Sequence, residues 1–325
     1  MSPVVQTVTF PLGPFVKHGA NPILGPIGDT WQAKDLFNPT AVCKDGKVYL
    51  LYRAEDYSGI GHWNGTSRIG LAISEDGIHF ERHPEPVLVP TEPYELPGGC
   101  EDPRVTQVGD TYYLTYSAFD GRSARLCLAT STDLYHWTKH GVLFPEWVGG
   151  TSNRVWSKSG AILADPLDGR YVMYFGDTNI WVAYSEDLLS WIPEKEPVLR
   201  PSVHPHAFDS ALVEPGPQPI LTKDGILLIY NAARRLNPDQ PISPDDPVGY
   251  GSLRYAIGQA LFSRENPAQV LVRTEEPFMT PGSEHELTGQ VDNVVFAEGL
   301  VHHNETWYLY YGMADSKIGV AVFGR

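Results

Sequence analysis

One pattern returns five times along the chain and limits what it can fold into. The segments "GKVYLLYRAED" (46–56), "DTYYLTYSAFD" (110–120), "GRYVMYFGD" (169–177), "GILLIYNAA" (225–233) and "ETWYLYYGMAD" (305–315) share a run of alternating aromatic and aliphatic residues. Each follows a shorter apolar stretch: "FNPTAVCK", "EDPRVTQV", "SKSGAILAD", "FDSALVEPG" and "VDNVVFAEGLV". Three are followed by another matched piece, in which Ser74, Ser131 and Ser185 lead to Asp76, Asp133 and Asp187, and then to Phe80, Trp137 and Trp191. Apolar alternation bounded by Gly, Asp and Pro predicts strands. A four-strand unit recurring every roughly 50–80 residues predicts an all-β, five-bladed β-propeller with almost no helix. The closing "KIGVAVFGR" lacks an outer strand, which the leading "VTFPLGPFVKHGANPIL" can supply. The N- and C-terminal strands are therefore expected to close a single domain spanning 1–325. A β-sandwich would not explain the five-fold return.

The recurrence also explains many eye-catching residues. Ser-x-Asp pairs and aromatics that return unit after unit belong to turn chemistry and packing, so Trp137 and Trp191 are expected in the core. Asp and Glu number 39 against 24 Lys and Arg, a net charge of −15, which repels nucleic acid and anionic membranes. Cys43, Cys100 and Cys127 fit neither a disulfide framework nor a zinc site, and Cys100 reads as a buried structural thiol. No run is long and apolar enough to span a bilayer, and the opening residues lack a signal-peptide pattern, so a cytoplasmic location is expected. There is no Gly-rich phosphate loop and no Ser-His-Asp spacing. His204 and His206, in the Pro-bounded "SVHPHAFDS", are not read as metal ligands. No metal and no cofactor is expected.

In a propeller the first strand of each blade lies nearest the axis. Aligning the five first strands puts Asn38, Asp102, Lys158, Asp209 and Asp292 at comparable positions, polar where an interior strand should be apolar. Carboxylates crowded there must be solvated or paired, and mutual repulsion raises some pKa values enough to make proton donors. The alternative for Asp102 in "GCEDPR" is a plain ion pair with Arg104. Arg53, Arg68, Arg125, Tyr116 and Asp177 lie on segments that reach toward the same axis. Acids, Arg and aromatics together suit a neutral, hydroxyl-rich ligand such as a sugar.

The stretches "FNPTAV", "YRAE", "SRIGLAISEDGIHF", "CEDPRV", "KSGAIL", "YVMYFGD", "FDSALVEPGPQPI" and "YYGMAD" run in order along nearly the whole chain. In them the chain resembles glycoside hydrolase family 130, the mannoside phosphorylases and β-mannosidases. The resemblance implies a five-bladed propeller that cleaves β-mannosides with inversion. It makes Asp102 the general acid, relaying its proton through a hydroxyl of the mannose in the −1 subsite. Where phosphorylases of the family carry a Lys, a small Gly and a His near phosphate, this chain has Leu212, Glu214 and Asn231, and Asp177 stands where a further Arg is expected. Phosphate is a dianion that needs several cationic donors. These departures imply a hydrolase with Glu214 as general base, the two carboxyls about 6.5–9.5 Å apart. Asn38, Arg53, Arg68, Tyr116, Lys158, Asp177, Asp209 and Asp292 would bind substrate.

Other readings stay open: an inverting phosphorylase releasing mannose 1-phosphate, with an anion site from Lys158, Arg125 and Arg154; a furanosidase of another five-bladed family; or a non-catalytic sugar-binding propeller. Glu214 could instead pair with Arg234 or Arg235. β-1,2-linked manno-oligosaccharides are the expected partner, and a homo-oligomer is compatible with the sequence. Specificity is expected in the loops 56–66 and 234–255, with Trp63 and Tyr250 as stacking candidates.

Overall fold

A computed structural model describes residues 8–58, 65–149, 155–237, 239 and 252–324. Those residues are all-β apart from single turns at Pro93–Glu95 and Glu284–Leu287. The strands form antiparallel meanders in chain order. The first unit is Asp35–Lys44, Lys47–Glu55, Ser67–Ser74 and Glu81–Arg82. The second is Gly99–Val108, Thr111–Phe119, Ala124–Ser131 and Thr138–Val142. The third is Ala161–Ile162, Tyr171–Phe175, Trp181–Ser185 and Ile192–Pro193. The fourth joins Leu212–Pro215 and Ile220–Leu221 to Ile226–Arg235, Leu253–Phe262 and Val270–Arg273. In the fifth, Val295–His303, Thr306–Met313 and Lys317–Gly324 gain Val16–Lys17 from the other end of the chain, with Val16 opposite Val322. A parallel bridge between Ser67 and Gly99 fuses the first two units into one sheet.

The second strands read as near-continuous apolar runs because both of their faces are covered. Leu50 and Leu51, for instance, are both buried but belong to different cores. One core lies between the first and second units (Leu51, Leu71, Val105, Leu114) and the next between the second and third (Leu126, Phe175, Trp181). Two more join the third to the fourth (Val172, Leu228, Phe262) and the fourth to the fifth (Leu227, Ile257, Leu309). Another lies between the fifth and the first (Leu36, Leu50, Tyr310, Val320).

A buried tyrosine recurs at matching positions of the second strands. The hydroxyls of Tyr52, Tyr116, Tyr230 and Tyr311 donate to Gln32 (3.3 Å), Glu95 (2.8 Å), Asp209 (3.1 Å) and Glu286 (2.8 Å). A cation then closes each group: Arg82 at 3.0 Å, Lys139 at 2.6 Å, Arg273 at 3.2 Å and Lys17 at 2.6 Å. A buried phenol needs a partner, and a buried carboxylate needs a counter-charge, so each triad satisfies itself. This assigns Tyr116 and Asp209, expected as sugar ligands, to the scaffold. A Cβ built on Gly70, Gly258 or Gly319 would fall 2.5, 2.8 or 2.7 Å from the ring carbon of the facing tyrosine.

The Ser-x-Asp pairs close turns in the same self-contained way. Ser74 Oγ accepts from Gly77 N at 2.8 Å while Asp76 accepts from the N–H groups of Ile78 and His79, and Ser131/Asp133 and Ser185/Asp187 repeat this. Trp137 and Trp191 donate to Leu134 O and Leu188 O. Gly258→Ala should cost about 1–3 kcal/mol through overpacking. Gly282→Ala, where a Cβ meets nothing within 4 Å, should stay within about 0.5 kcal/mol of the parent. Urea denaturation of the two variants checks this.

Candidate active site

Three consecutive units carry a non-glycine residue with left-handed backbone on the segment that leads into or forms the inner strand: Asn38 (φ 48°), Asp102 (φ 48°) and Ser159 (φ 58°). In the first two, strand register slips at Asn38-Pro39 and Asp102-Pro103. Such bulges re-aim a side chain out of the ladder. The fifth inner strand slips between Ala297 and Gly299, at Glu298. The expected alignment therefore needs correcting. In the third unit Ser159 takes the corner, with Lys158 just ahead of it. The fourth and fifth inner strands begin only at Leu212 and Val295, beyond Asp209 and Asp292, and contribute Glu214 and Glu298 instead. Asp292 is exposed in the preceding turn and accepts from Gly289 N at 3.2 Å.

Asp102 sits at the centre, buried. Its Oδ1 accepts from Asn38 Nδ2 at 2.8 Å and Arg53 Nη1 at 3.0 Å, and its Oδ2 lies 3.0 Å from Lys158 Nζ. Burial would raise its pKa, but Lys158, Arg53 and Asn38 outweigh burial and hold the carboxyl well below the usual range. Arg53 also binds Glu55 at 2.7 Å, Glu101 at 3.0 Å and Ser67 Oγ at 2.9 Å. Arg104 is not the carboxylate partner of Asp102. It donates to three carbonyls, Asp102 O at 3.2 Å, Pro215 O at 2.8 Å and Gly216 O at 3.0 Å, and pairs with Glu298 at 3.1 Å.

Glu214 is buried, accepts a hydrogen bond from Ser159 Oγ, and stands 4.0 Å from Arg104. Burial pushes its pKa up to about 7; Lys158, Arg104 and Ser159 oppose the rise and Asp177 adds to it. Burial also lifts Glu101 and Asp315 to about 7, against the pull of Arg53. Asp177 accepts from Trp156 Nε1 at 2.6 Å and is raised by burial against Lys158. Glu298 is fully buried, and neither of its oxygens has a hydrogen-bond partner among the described residues, although Arg104 supplies charge. Burial pushes it well above the carboxylate range.

The structure thus brings together Asn38, Arg53, Asp102, Lys158, Asp177 and Glu214, and adds Ser159, Glu298 and Asp315. Arg68 and Arg125 instead form ion pairs of 2.6 Å with Asp56 and Asp120. Leu212 packs on Ala233 and Leu253. Asn231 spends its amide on the backbone of Ala297, donating at 2.9 Å and accepting at 2.7 Å. Trp63, Tyr250 and Arg154 lie outside the described residues. Among those described, the acids around Asp102 outnumber the cations, and several carboxyls titrate near neutrality. That is the pattern of an acid–base site.

The raised groups fix a pH dependence. Glu101 and Glu214 move from 4.5 to about 7 and Asp315 from 3.8 to about 7. The folded state therefore keeps protons that the unfolded chain has lost, and stability present below the unfolded values is lost as pH rises through about 7. Asp102, shifted the other way, acts only at acid pH. Denaturation midpoints should fall between pH 5 and 8, and Glu214→Gln should flatten part of that fall.

The model of glycoside hydrolase family 130, described as β-1,4-mannooligosaccharide phosphorylase, matches residues 20–324. A 1,2-β-oligomannan phosphorylase of Thermoanaerobacter sp. (strain X514) is 36% identical over 307 residues, 93% of this chain and 94% of its own. A β-1,2-mannobiose phosphorylase of the same organism is 35% identical over 316 residues, 94% of this chain and 95% of its own. A solved structure at 39% identity has a TM-score of 0.86 over 98% of this chain and 97% of its own. It is described as showing that this family of mannoside phosphorylases contains glycoside hydrolases that target β-1,2 mannosidic linkages in Candida mannan. A family model that spans the strand units together with the acid cluster around Asp102 leaves one assignment: the chain belongs to glycoside hydrolase family 130.

Proposed function

We propose that the protein is an inverting hydrolase of β-mannosides, acting on β-1,2-linked manno-oligosaccharides, and that its five units form a single five-bladed β-propeller with the acid cluster at the axis. Apolar cores between each unit and the next, and between the fifth and the first, support the ring. The observation that carries hydrolysis is the charge around Glu214. Each described cation nearby already has acidic partners: Arg53 has Glu55, Glu101 and Asp102, Lys158 has Asp102, and Arg104 has Glu298. A phosphate dianion would have to displace a buried carboxylate, whereas water meets no such barrier and finds a base in Glu214.

In this reading Glu214 deprotonates the attacking water, and Asp102 delivers a proton to the leaving oxygen through a sugar hydroxyl. The free site holds Asp102 ionised, so the acid role requires bound hydroxyls to take over part of the grip of Arg53 and Lys158 and the carboxyl to take up a proton from solvent before it passes one to the leaving oxygen. Asn38 and Asp177 then serve the same sugar. Arg68 would act only from the rim.

Phosphorolysis is the second reading, and the names of the relatives favour it: both Thermoanaerobacter proteins are phosphorylases. Incubation of β-1,2-, β-1,3- and β-1,4-mannobiose with and without phosphate separates the two. Hydrolysis yields α-mannose at a rate indifferent to phosphate, with β-1,2-mannobiose cleaved fastest. Phosphate acceleration with release of mannose 1-phosphate overturns it. Glu214→Gln and Asp102→Asn should each lower kcat by about 10²–10⁴ with the fold intact by circular dichroism.

A further inference from the structure

The proposed base does not hold its own position. Glu214 lies on a short strand segment, Leu212–Pro215, while the hydroxyl that binds its carboxyl comes from a different unit, on the segment just ahead of Ala161–Ile162. Ser159 is 1% exposed and has left-handed backbone, a conformation a serine rarely keeps unless its surroundings impose it. Here they do. A Cβ on Gly160 would fall 2.8 Å from Met173 Sδ and 3.0 Å from Leu126 Cδ2, and Thr115 Oγ1 donates to Gly160 O. The chain cannot relax away, and the strained segment aims the hydroxyl at one oxygen of Glu214.

We propose that Ser159 is the positioning residue for Glu214: its hydroxyl fixes the carboxylate and stabilises its ionised form, so that Glu214 can accept a proton from water. The inference rests on the hydrolytic reading above. The charged groups that act on Glu214 are Arg104 from the second unit, Lys158 and Asp177 from the third, and Glu298 from the fifth, which feels Glu214 in turn. The hydrogen bond to its carboxyl comes from Ser159. A hydrogen bond to the charged form lowers a carboxyl's pKa, so removing it must raise that pKa and delay ionisation.

The test is the pH profile of kcat/KM for β-1,2-mannobiose in the parent, Ser159→Ala and Ser159→Gly. The acidic limb should move to higher pH by about one unit in both variants, the worth of one buried hydrogen bond. KM should stay within about two-fold of the parent, since the hydroxyl serves the base and not the sugar. Ser159→Gly also relieves the left-handed backbone and should be the more stable of the two, so a limb shift common to both cannot come from lost stability. An unmoved limb in either folded variant overturns the inference. If Glu214→Gln keeps full activity, the hydrolytic reading itself has failed. If Glu214→Gln is inactive and the limb is unmoved, only the role of Ser159 falls.

Discussion

A single guanidinium ties together the parts of the site that must not drift. Arg104 donates to the backbone carbonyl of Asp102 in its own unit and to Pro215 and Gly216 in the fourth, and it takes its counter-charge from Glu298 in the fifth. One of those carbonyls belongs to the proposed acid, and another to the residue that follows the proposed base. The distance between Asp102 and Glu214 is thus set through rigid main chain and not through the flexible side chains themselves. Burying an arginine this deeply is unfavourable unless its donors and charge are met. Three carbonyls and one carboxylate meet them.

That arrangement leaves Glu214 with only a distant share of Arg104, at 4.0 Å. Lys158 and Arg53 are committed to Asp102. The result is a division of labour between two buried carboxyls a few residues from the same strut. One is ionised outright by two cations and an amide; the other is balanced near neutrality by burial against partial compensation. Titratable groups pushed apart in this way give one site distinct acid–base states; in the free site their order is the reverse of the proposed roles, so substrate binding has to raise Asp102 and lower Glu214. The same economy governs the scaffold, where Tyr52, Tyr116, Tyr230 and Tyr311 each form a closed set with an acceptor and a cation.

Much of this was legible in the sequence. The meanders follow from short apolar runs bounded by Gly, Asp and Pro, and the Ser-x-Asp turns from their recurrence. Asp102 stood out as an acid where an inner strand should be apolar, and Glu214 only through the resemblance, as an acid where relatives carry a small Gly. Tyr116 and Asp209 misled because a buried phenol–carboxylate pair and a sugar ligand use the same residue types. Asp292 matches the inner-strand acids in sequence, but its strand starts only at Val295, beyond it. Glu298, in "VVFAEGLV", carries no motif that singles it out, and the register shift at that point is visible only in the fold. The reach of Arg104 to Gly216, and of Ser159 to Glu214, crosses units and has no local signature.

The central claim is that the acidic corner around Glu214 activates water. Cleavage of β-1,2-mannobiose in ¹⁸O-enriched water, with phosphate at saturating concentration, tests it most directly. The account predicts that the newly released mannose carries one heavy oxygen at its anomeric carbon and first appears as the α-anomer. Unlabelled product bearing a phosphate at that carbon would contradict it.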